Sequence, residues 1–426
     1  MLQRLLLLYS LILLSSCGSV DEKDSADRPN PLVEFTPTLT LKTLWVAYAA
    51  DNTGYLTLTP TIHEKESGGA RDSVLQMDNQ TDDMVTLSEE KVNDDIDTSY
   101  LKLVPAFHKG QLFTAFSNGH VRAFKFSDGK SVWQQKIDVP ISAGPGIGEG
   151  ILLVGSSKGE VVALSETEGT ELWRAQVSSE VLAIPQISKG VVVVRTIDGK
   201  LFGLDSQTGK RLWVYERPRV PLLTLRGTSS PILKDNMILA GFDDGKLALL
   251  DLHTGKILGQ EIPIAIPRGR TELERMVDID ADPQWVDDII YVTSYQGGTV
   301  ALDMTRGGQK LWDRKLSSHT GLDVEADYLY MSDTKSHIWA LDRFSGEDWW
   351  KQDKLQARKV TAPVSIGDYV VVGDTKGYLH WMRHRDGKFV ARYHAGKASI
   401  TVPPLVVGDT LVAYNNHGKI VVLRPE

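Results

Sequence analysis

Apolar residues in this chain come in runs of four to seven, and glycine, asparagine or aspartate interrupts almost every run. Residues 190–196 (GVVVVRT), 200–206 (KLFGLDS) and 211–216 (RLWVYE) are examples. Their β-branched and aromatic content, with no helical spacing, reads as strand. Asn118-Gly119 and Asp198-Gly199 are two-residue hairpin signals between such runs. The pattern also recurs as a frame: a proline, a glycine fourteen residues later, and a second glycine ten residues after that. Pro105, Pro145, Pro185, Pro231, Pro283, Pro363 and Pro404 lead to Gly119, Gly159, Gly199, Gly245, Gly297, Gly377 and Gly418. One further copy keeps the spacing with Leu322 and Ser336 in those places. That makes eight copies, mostly 39–46 residues apart.

Four short strands per copy at a period near 40 is the arithmetic of a propeller blade. One such sheet cannot cover both of its faces, so neighbouring blades must do so. Trp133, Trp173, Trp213 and Trp350 share one frame position, and Trp312 comes one residue late. These are expected to form the seams between blades, with Gly259 and Ala391 marking two seams packed differently. The eighth copy ends at Glu426, before its tryptophan strand. Residues 41–47 (LKTLWVA) repeat the Leu172-Trp173 pattern at Leu44-Trp45 and would supply that strand. The expected fold is therefore all-β. It is one eight-bladed β-propeller of four-stranded antiparallel blades over residues 41–426, its last blade closed by the N-terminal strand.

Ahead of the ring, Arg4 precedes an apolar run over residues 5–14, the proportions of a signal peptide. Leu14-Ser15-Ser16-Cys17 resembles a bacterial lipobox, so residues 1–16 are expected to be cleaved and Cys17 lipidated. Gly18, in place of aspartate, favours sorting to the outer membrane, with the propeller in the periplasm. Stable anchoring needs more than one acyl chain, as expected on a lipoprotein cysteine. Residues 17–40, with Pro29, Pro31 and Pro37, read as a flexible tether. Cys17 is the only cysteine, which excludes an internal disulfide. Without Arg4 the chain has 46 basic against 55 acidic residues, near −9, which argues against nucleic acid as a partner.

Loop lengths carry the functional information. From the tryptophan position to the next frame position usually takes 10–13 residues, but 18 from Trp213, 24 from Gly259 and 60 from Trp45. All three join an outer strand to the next inner strand, so they share one face of the disc. Loops grow where something is contacted. The first holds Leu222, Leu223, Leu225 and Arg226, either an exposed apolar patch with a charged anchor or leucines tucked under the ring. The second, residues 260–282, holds Arg268, Arg270, a helical turn expected at 271–276, and Asp278 and Asp280. Extended backbone puts both aspartates on one side, as a solvated or partner-facing pair in preference to a catalytic or cation-binding one. The third contains residues 61–99, with eleven acidic and three basic residues, and reads as a mobile acidic insertion.

Over residues 41–423, apart from that insertion, the chain resembles the BamB family, propeller lipoproteins of the outer-membrane β-barrel assembly (BAM) machinery. The most specific matches are Leu223-Thr224-Leu225-Arg226-Gly227, Thr271-Glu272-Leu273-Glu274-Arg275, Asp278-Ile279-Asp280, and Val372-Gly373-Asp374 running to Gly377-Tyr378-Leu379. The resemblance implies a non-enzymatic scaffold that aids insertion of β-barrel proteins. It implies that Leu223, Leu225, Arg226, Asp278 and Asp280 dock a POTRA domain of the central barrel subunit, BamA in that family. Other members of the complex would be met indirectly and unfolded clients in passing, with the membrane touched only through the lipid. No cofactor is implied. The insertion at residues 61–99 departs from the family pattern.

The competing expectation is a periplasmic quinoprotein dehydrogenase, because that class shares the eight-bladed repeat. Such enzymes often set a disulfide of adjacent cysteines beside the quinone and calcium, and a single cysteine cannot form one. His380 and His384 are four apart, but in a strand and turn they are not a helical ligand pair. No serine elbow is present. No catalytic or metal-binding residue is assigned.

Overall fold

A computed structural model describes residues 28–49, 100–217 and 223–426. The expected signal peptide, Cys17, the insertion at 61–99, and Leu222 lie outside the described residues.

Eight antiparallel sheets succeed one another along the chain. Blade 1 is built from Ala106–His108, Gln111–Ala115, His120–Lys125 and Ser131–Lys136, inner strand first. Blades 2 to 7 repeat this order, each taking its four antiparallel strands from one continuous stretch, and blade 2 gains a fifth strand from Lys102–Leu103. In six copies the frame proline stands just before the inner strand, where its missing N–H breaks no ladder. Pro145 is the exception, lying inside the longer inner strand Ile141–Gly148 of blade 2.

Blade 8 is composite. Leu405–Val407, Thr410–Tyr414 and Lys419–Pro425 come from the C-terminus, and Leu41–Tyr48 pairs antiparallel with the last of them. The closing strand expected at residues 41–47 is thus present in that place and extends one residue further.

The frame tryptophans explain the second glycine of each copy. Trp173 sits opposite the small Ala163 on its own sheet and reaches into blade 3. There its indole N–H donates to Ser206 O at 2.7 Å. Its ring covers Gly209, whose φ of 69° falls within the 64–74° of the matching glycines around the ring; a methyl added there would lie 2.6 Å from the indole. The same pair of contacts joins Trp133 to Glu166 O and Gly169, Trp213 to Leu252 O and Gly255, and Trp350 to His384 O and Gly387. Trp45 makes it to Phe126 O and Gly129, which locks blade 8 to blade 1. Trp312, one residue late in sequence, still faces Ala301, because the turn through Met304–Arg306 absorbs the extra residue.

The two seams marked by Gly259 and Ala391 do differ. Between blades 4 and 5, Ile262 replaces the indole against Gly308. The outer strand of blade 4 is only Ile262–Pro263, so the second long connection begins at residue 264, later than the expected 260. Between blades 7 and 8 the receiving turn does not exist, since strand Lys419–Pro425 ends where the hairpin would be. Residues 30–39, expected as tether, cover this gap. The N–H groups of Thr38 and Leu39 both donate to Val390 O, Phe35 stacks on Phe389 at 5.7 Å, and Asn30 N donates to Gln356 O.

Deleting one indole removes about 3–5 kcal/mol of packing. Trp213→Ala should lower unfolding stability by that amount in denaturant titration. Gly209→Ala and Gly190→Ala both place a side chain at positive φ, which costs about 1–2 kcal/mol. Only Gly209 has an indole in the way, whereas the space at Gly190 is open. Gly209→Ala should therefore be the more destabilising of the two.

Candidate partner-docking face

In each blade the chain goes up and down four times, so outer-to-inner connections and the middle hairpins share one face. The described parts of the long connections, residues 100–105, 223–231 and 264–283, lie there. Arg217 secures the root of the 216–231 connection. Its guanidinium pairs with Asp244 (2.7–2.8 Å) and Glu261 (2.9–3.0 Å) and lies 4.3 Å over the Phe242 ring.

Residues 225–230 are held from beneath. The carboxylate of Asp278 accepts the N–H of Leu225, and that of Asp282 accepts the N–H of Ser230. Arg195, fully buried, donates to Ser229 O and Oγ (3.1 and 2.8 Å) and to Asp243 (2.7 Å). At Gly227 the backbone passes so close to Asp280 that a Cβ would lie 2.9 Å from the carboxyl carbon. Glycine is required there by contact, not by torsion.

Residues 276–281 alternate between core and loop. Val277, Ile279 and Ala281 are buried among apolar neighbours, while Asp278 and Asp280 turn toward the 225–230 segment. The period-two spacing thus puts both carboxylates on one side, as read from sequence. They are not solvated or surface-facing, however: Asp278 is 0% and Asp280 6% exposed. The physical reason is the loop itself, which folds over them and takes Asp278 as a backbone acceptor. Both oxygens of Asp280 and Oδ1 of Asp278 have no hydrogen-bond partner among the described residues.

Burial pushes Asp278 up to about 7, against the opposing pull of the Leu225 N–H. Burial also raises Asp280 well above the usual carboxylate range, and the Asp278 and Asp243 carboxylates add to it. Asp243 is raised as well, chiefly by burial.

The surface above belongs to other residues. Leu223 is 49% exposed, Leu225 half-buried and Arg226 exposed. Arg226 Nη2 donates to both carboxylate oxygens of Glu180 (3.0 and 2.9 Å), and its guanidinium lies 4.2 Å over the Tyr100 ring. Of the leucines in the first connection, Leu223 therefore belongs to a surface patch and not under the ring.

The next connection adds Ile266 and Leu273, 67% and 62% exposed. Leu273 sits on a single 3-10 turn, Leu273–Arg275, shorter than the turn expected over 271–276. Thr271 and Glu274 close it reciprocally: Glu274 accepts the N–H groups of Arg270 and Thr271, and Thr271 Oγ1 accepts that of Glu274.

Sequence reading missed Ile266 and Leu273 as exposed anchors, although both sit in a connection it singled out. Glu180, Tyr100 and Lys102 carry no local signal at all.

Chemistry elsewhere is structural. His380 is buried between Asp374 (2.9 Å) and Arg392 (3.3 Å), while His384 offers its carbonyl to Trp350, so the two do not act as a pair. No three His, Cys, Asp or Glu side chains among the described residues are placed to hold a metal ion. A cavity lined by Leu101, Leu103, Phe116 and Tyr414 encloses about 50 Å³, far below the roughly 300 Å³ at which small-molecule pockets begin.

A carboxyl raised in the folded state stabilises most when protonated. Asp278 moves from an ordinary 3.8 to about 7. Its contribution is thus fully present below about pH 4, declines as pH rises, and is lost once pH passes about 7. Asp278→Asn keeps an oxygen for the Leu225 N–H and removes the titration. Between pH 5 and 8 the melting temperature of the wild-type chain should fall more than that of Asp278→Asn.

Comparison with known proteins agrees with this architecture. A family described as "Outer membrane protein assembly factor BamB" matches residues 117–352. A protein of that name from Alkalilimnicola ehrlichii is 52% identical over 327 residues, covering 77% of this chain and 85% of its own length. The crystal structure of BamB from Moraxella catarrhalis aligns with a TM-score of 0.71 at 30% identity, over 77% of this chain and 97% of that one. A quinohemoprotein alcohol dehydrogenase from Comamonas testosteroni aligns at 0.61 over 76% of this chain and 74% of its own, but at 12% identity. That likeness is one of fold alone. With the family matched over more than half its residues, the chain belongs to the BamB family of outer membrane protein assembly factors.

Proposed function

We propose that this chain is a non-enzymatic scaffold of the outer-membrane β-barrel assembly machinery that docks the periplasmic POTRA region of the central barrel subunit. The docking surface is the face formed by the connections around blades 3 to 5. One observation carries this reading. An arginine and three apolar side chains, Arg226, Leu223, Ile266 and Leu273, stand exposed on two lengthened connections whose backbone is clasped from below. Exposed apolar residues around an arginine on a preorganised loop are the composition of a protein-binding hot spot. Asp278 and Asp280 serve the site as positioning residues, and Leu225 is shared between surface and support.

The remaining parts follow the sequence. Cys17 is the lipid-anchored residue after cleavage of residues 1–16, and the propeller faces the periplasm from the outer membrane. Other members of the complex are reached through the barrel subunit, and unfolded barrel precursors are passing clients. An assembly factor needs no quinone, and the family to which the chain belongs is one of assembly factors, not dehydrogenases.

The test is binding of the purified chain to the POTRA region from the same organism, with Arg226→Glu alongside. The expected result is affinity at least about tenfold weaker in Arg226→Glu, equivalent to about 1.4 kcal/mol, with unchanged thermal unfolding. Equal binding by both would discard the site. No binding by the wild-type chain would discard the partner.

A further inference from the structure

The connection from blade 8 to blade 1 does not end as a plain linker. Lys102–Leu103 forms a fifth, parallel strand on the inner edge of blade 2, with Lys102 opposite Ala143 and Leu103 opposite Gly144. From this strand Lys102 reaches two other connections at once. Its ammonium donates to Thr228 O at 2.6 Å, to Asp280 O at 3.2 Å and to Asp282 Oδ1 at 2.6 Å. Two residues earlier, the Tyr100 ring lies under the Arg226 guanidinium.

All three donors of an ammonium group are therefore matched, by one acceptor from the 216–231 connection and two from the 264–283 connection. Asp282 is itself shared between Lys102 and the N–H of Ser230. The three connections that are long in sequence thus meet at one point in space.

We infer that the docking face is built from three connections: Tyr100 is a contact residue beside Arg226, and Lys102 is the positioning residue that joins the other two loops. This rests on the docking reading above and adds to it a surface from the far side of the ring closure. Stacking against Tyr100 and pairing with Glu180 fix the plane of the guanidinium, so less freedom is lost when a partner carboxylate or carbonyl meets it. Tyr100 itself offers a flat amphipathic ring at the edge of the apolar patch, a residue type favoured at protein interfaces. Lys102 keeps the 225–230 and 278–282 segments at a fixed separation and touches no partner.

The experiment measures POTRA affinity for the full-length chain carrying Tyr100→Ala, Arg226→Ala, both together, Lys102→Met and Lys102→Arg. Thermal unfolding is recorded for each. Tyr100→Ala should weaken binding about five- to tenfold without changing the melting temperature. The double variant should be little weaker than Arg226→Ala alone, because the two side chains act as a unit. Lys102→Met should weaken binding, and Lys102→Arg should recover most of it.

Wild-type affinity in both Tyr100→Ala and Lys102→Met would overturn the inference, as would fully additive effects of Tyr100→Ala and Arg226→Ala. If Lys102→Met fails to fold, the Tyr100 and Arg226 cycle decides alone. Arg226→Glu separates the two levels. Binding retained in Arg226→Glu removes the docking site and this inference with it. Binding lost there but kept in the Tyr100 and Lys102 variants removes only the third connection.

Discussion

Six of the eight seams use one contact: an indole from the outer strand of a blade laid over a glycine in the last hairpin of the next. It works at both ends of the ring. Five of the six tryptophans have a small residue opposite them on their own sheet, Ala123, Ala163, Gly203, Ala301 and Ala340, whereas Trp45 faces Val422. The contact also needs a receiving turn with no Cβ and a carbonyl in line with the indole N–H. Because the contact always points from one blade to the next, its repetition sets a constant rotation between sheets, and constant rotation is what closes a ring. The two seams without it are filled by Ile262 and by residues 30–39, so the rule is about filling the place and not about indole chemistry.

The face proposed for docking is held together for a different reason. Three carboxylates, Asp243, Asp278 and Asp280, are buried near one another, with Arg195 paired to Asp243. Like charges in a dry place are costly, and the raised proton affinities are the signature of that cost. What the arrangement provides is an acceptor, Asp278, for the Leu225 N–H, beside Asp282 for that of Ser230, in a segment that has no sheet to satisfy it. The exposed residues above gain a fixed stage without spending any of their own side chains on holding it.

Much of this was legible in sequence because β-propellers repeat. The fourteen- and ten-residue spacings located the blades and the hairpins, and the Leu-Trp pattern located the closing strand at Trp45. Loop length alone marked the connections at 216–231 and 264–283. What could not be read were contacts between residues far apart in the chain with no period to betray them. Lys102 is 126 residues from Thr228 and 178 from Asp280. Nor does a two-residue spacing say whether the side shared by Asp278 and Asp280 faces water or a loop folded over it. Residues 30–39 were misread for a related reason: a proline-rich polar composition suits a tether, yet it also suits a segment laid along an edge with few hydrogen bonds to offer.

The closing strand has one more consequence, for timing. Leu41–Tyr48 finds its partner only in Lys419–Pro425, nearly the whole chain later. A chain emerging N-terminus first can assemble blades 1 to 7 in turn, each from residues that have already arrived. The strand that emerges earliest must wait until last, its Trp45 without a sheet in the meantime. Closure of the ring thus waits until Lys419–Pro425 has emerged. A chain without Lys419–Pro425 would keep most of its blades and leave Leu41–Tyr48 with no strand to pair with.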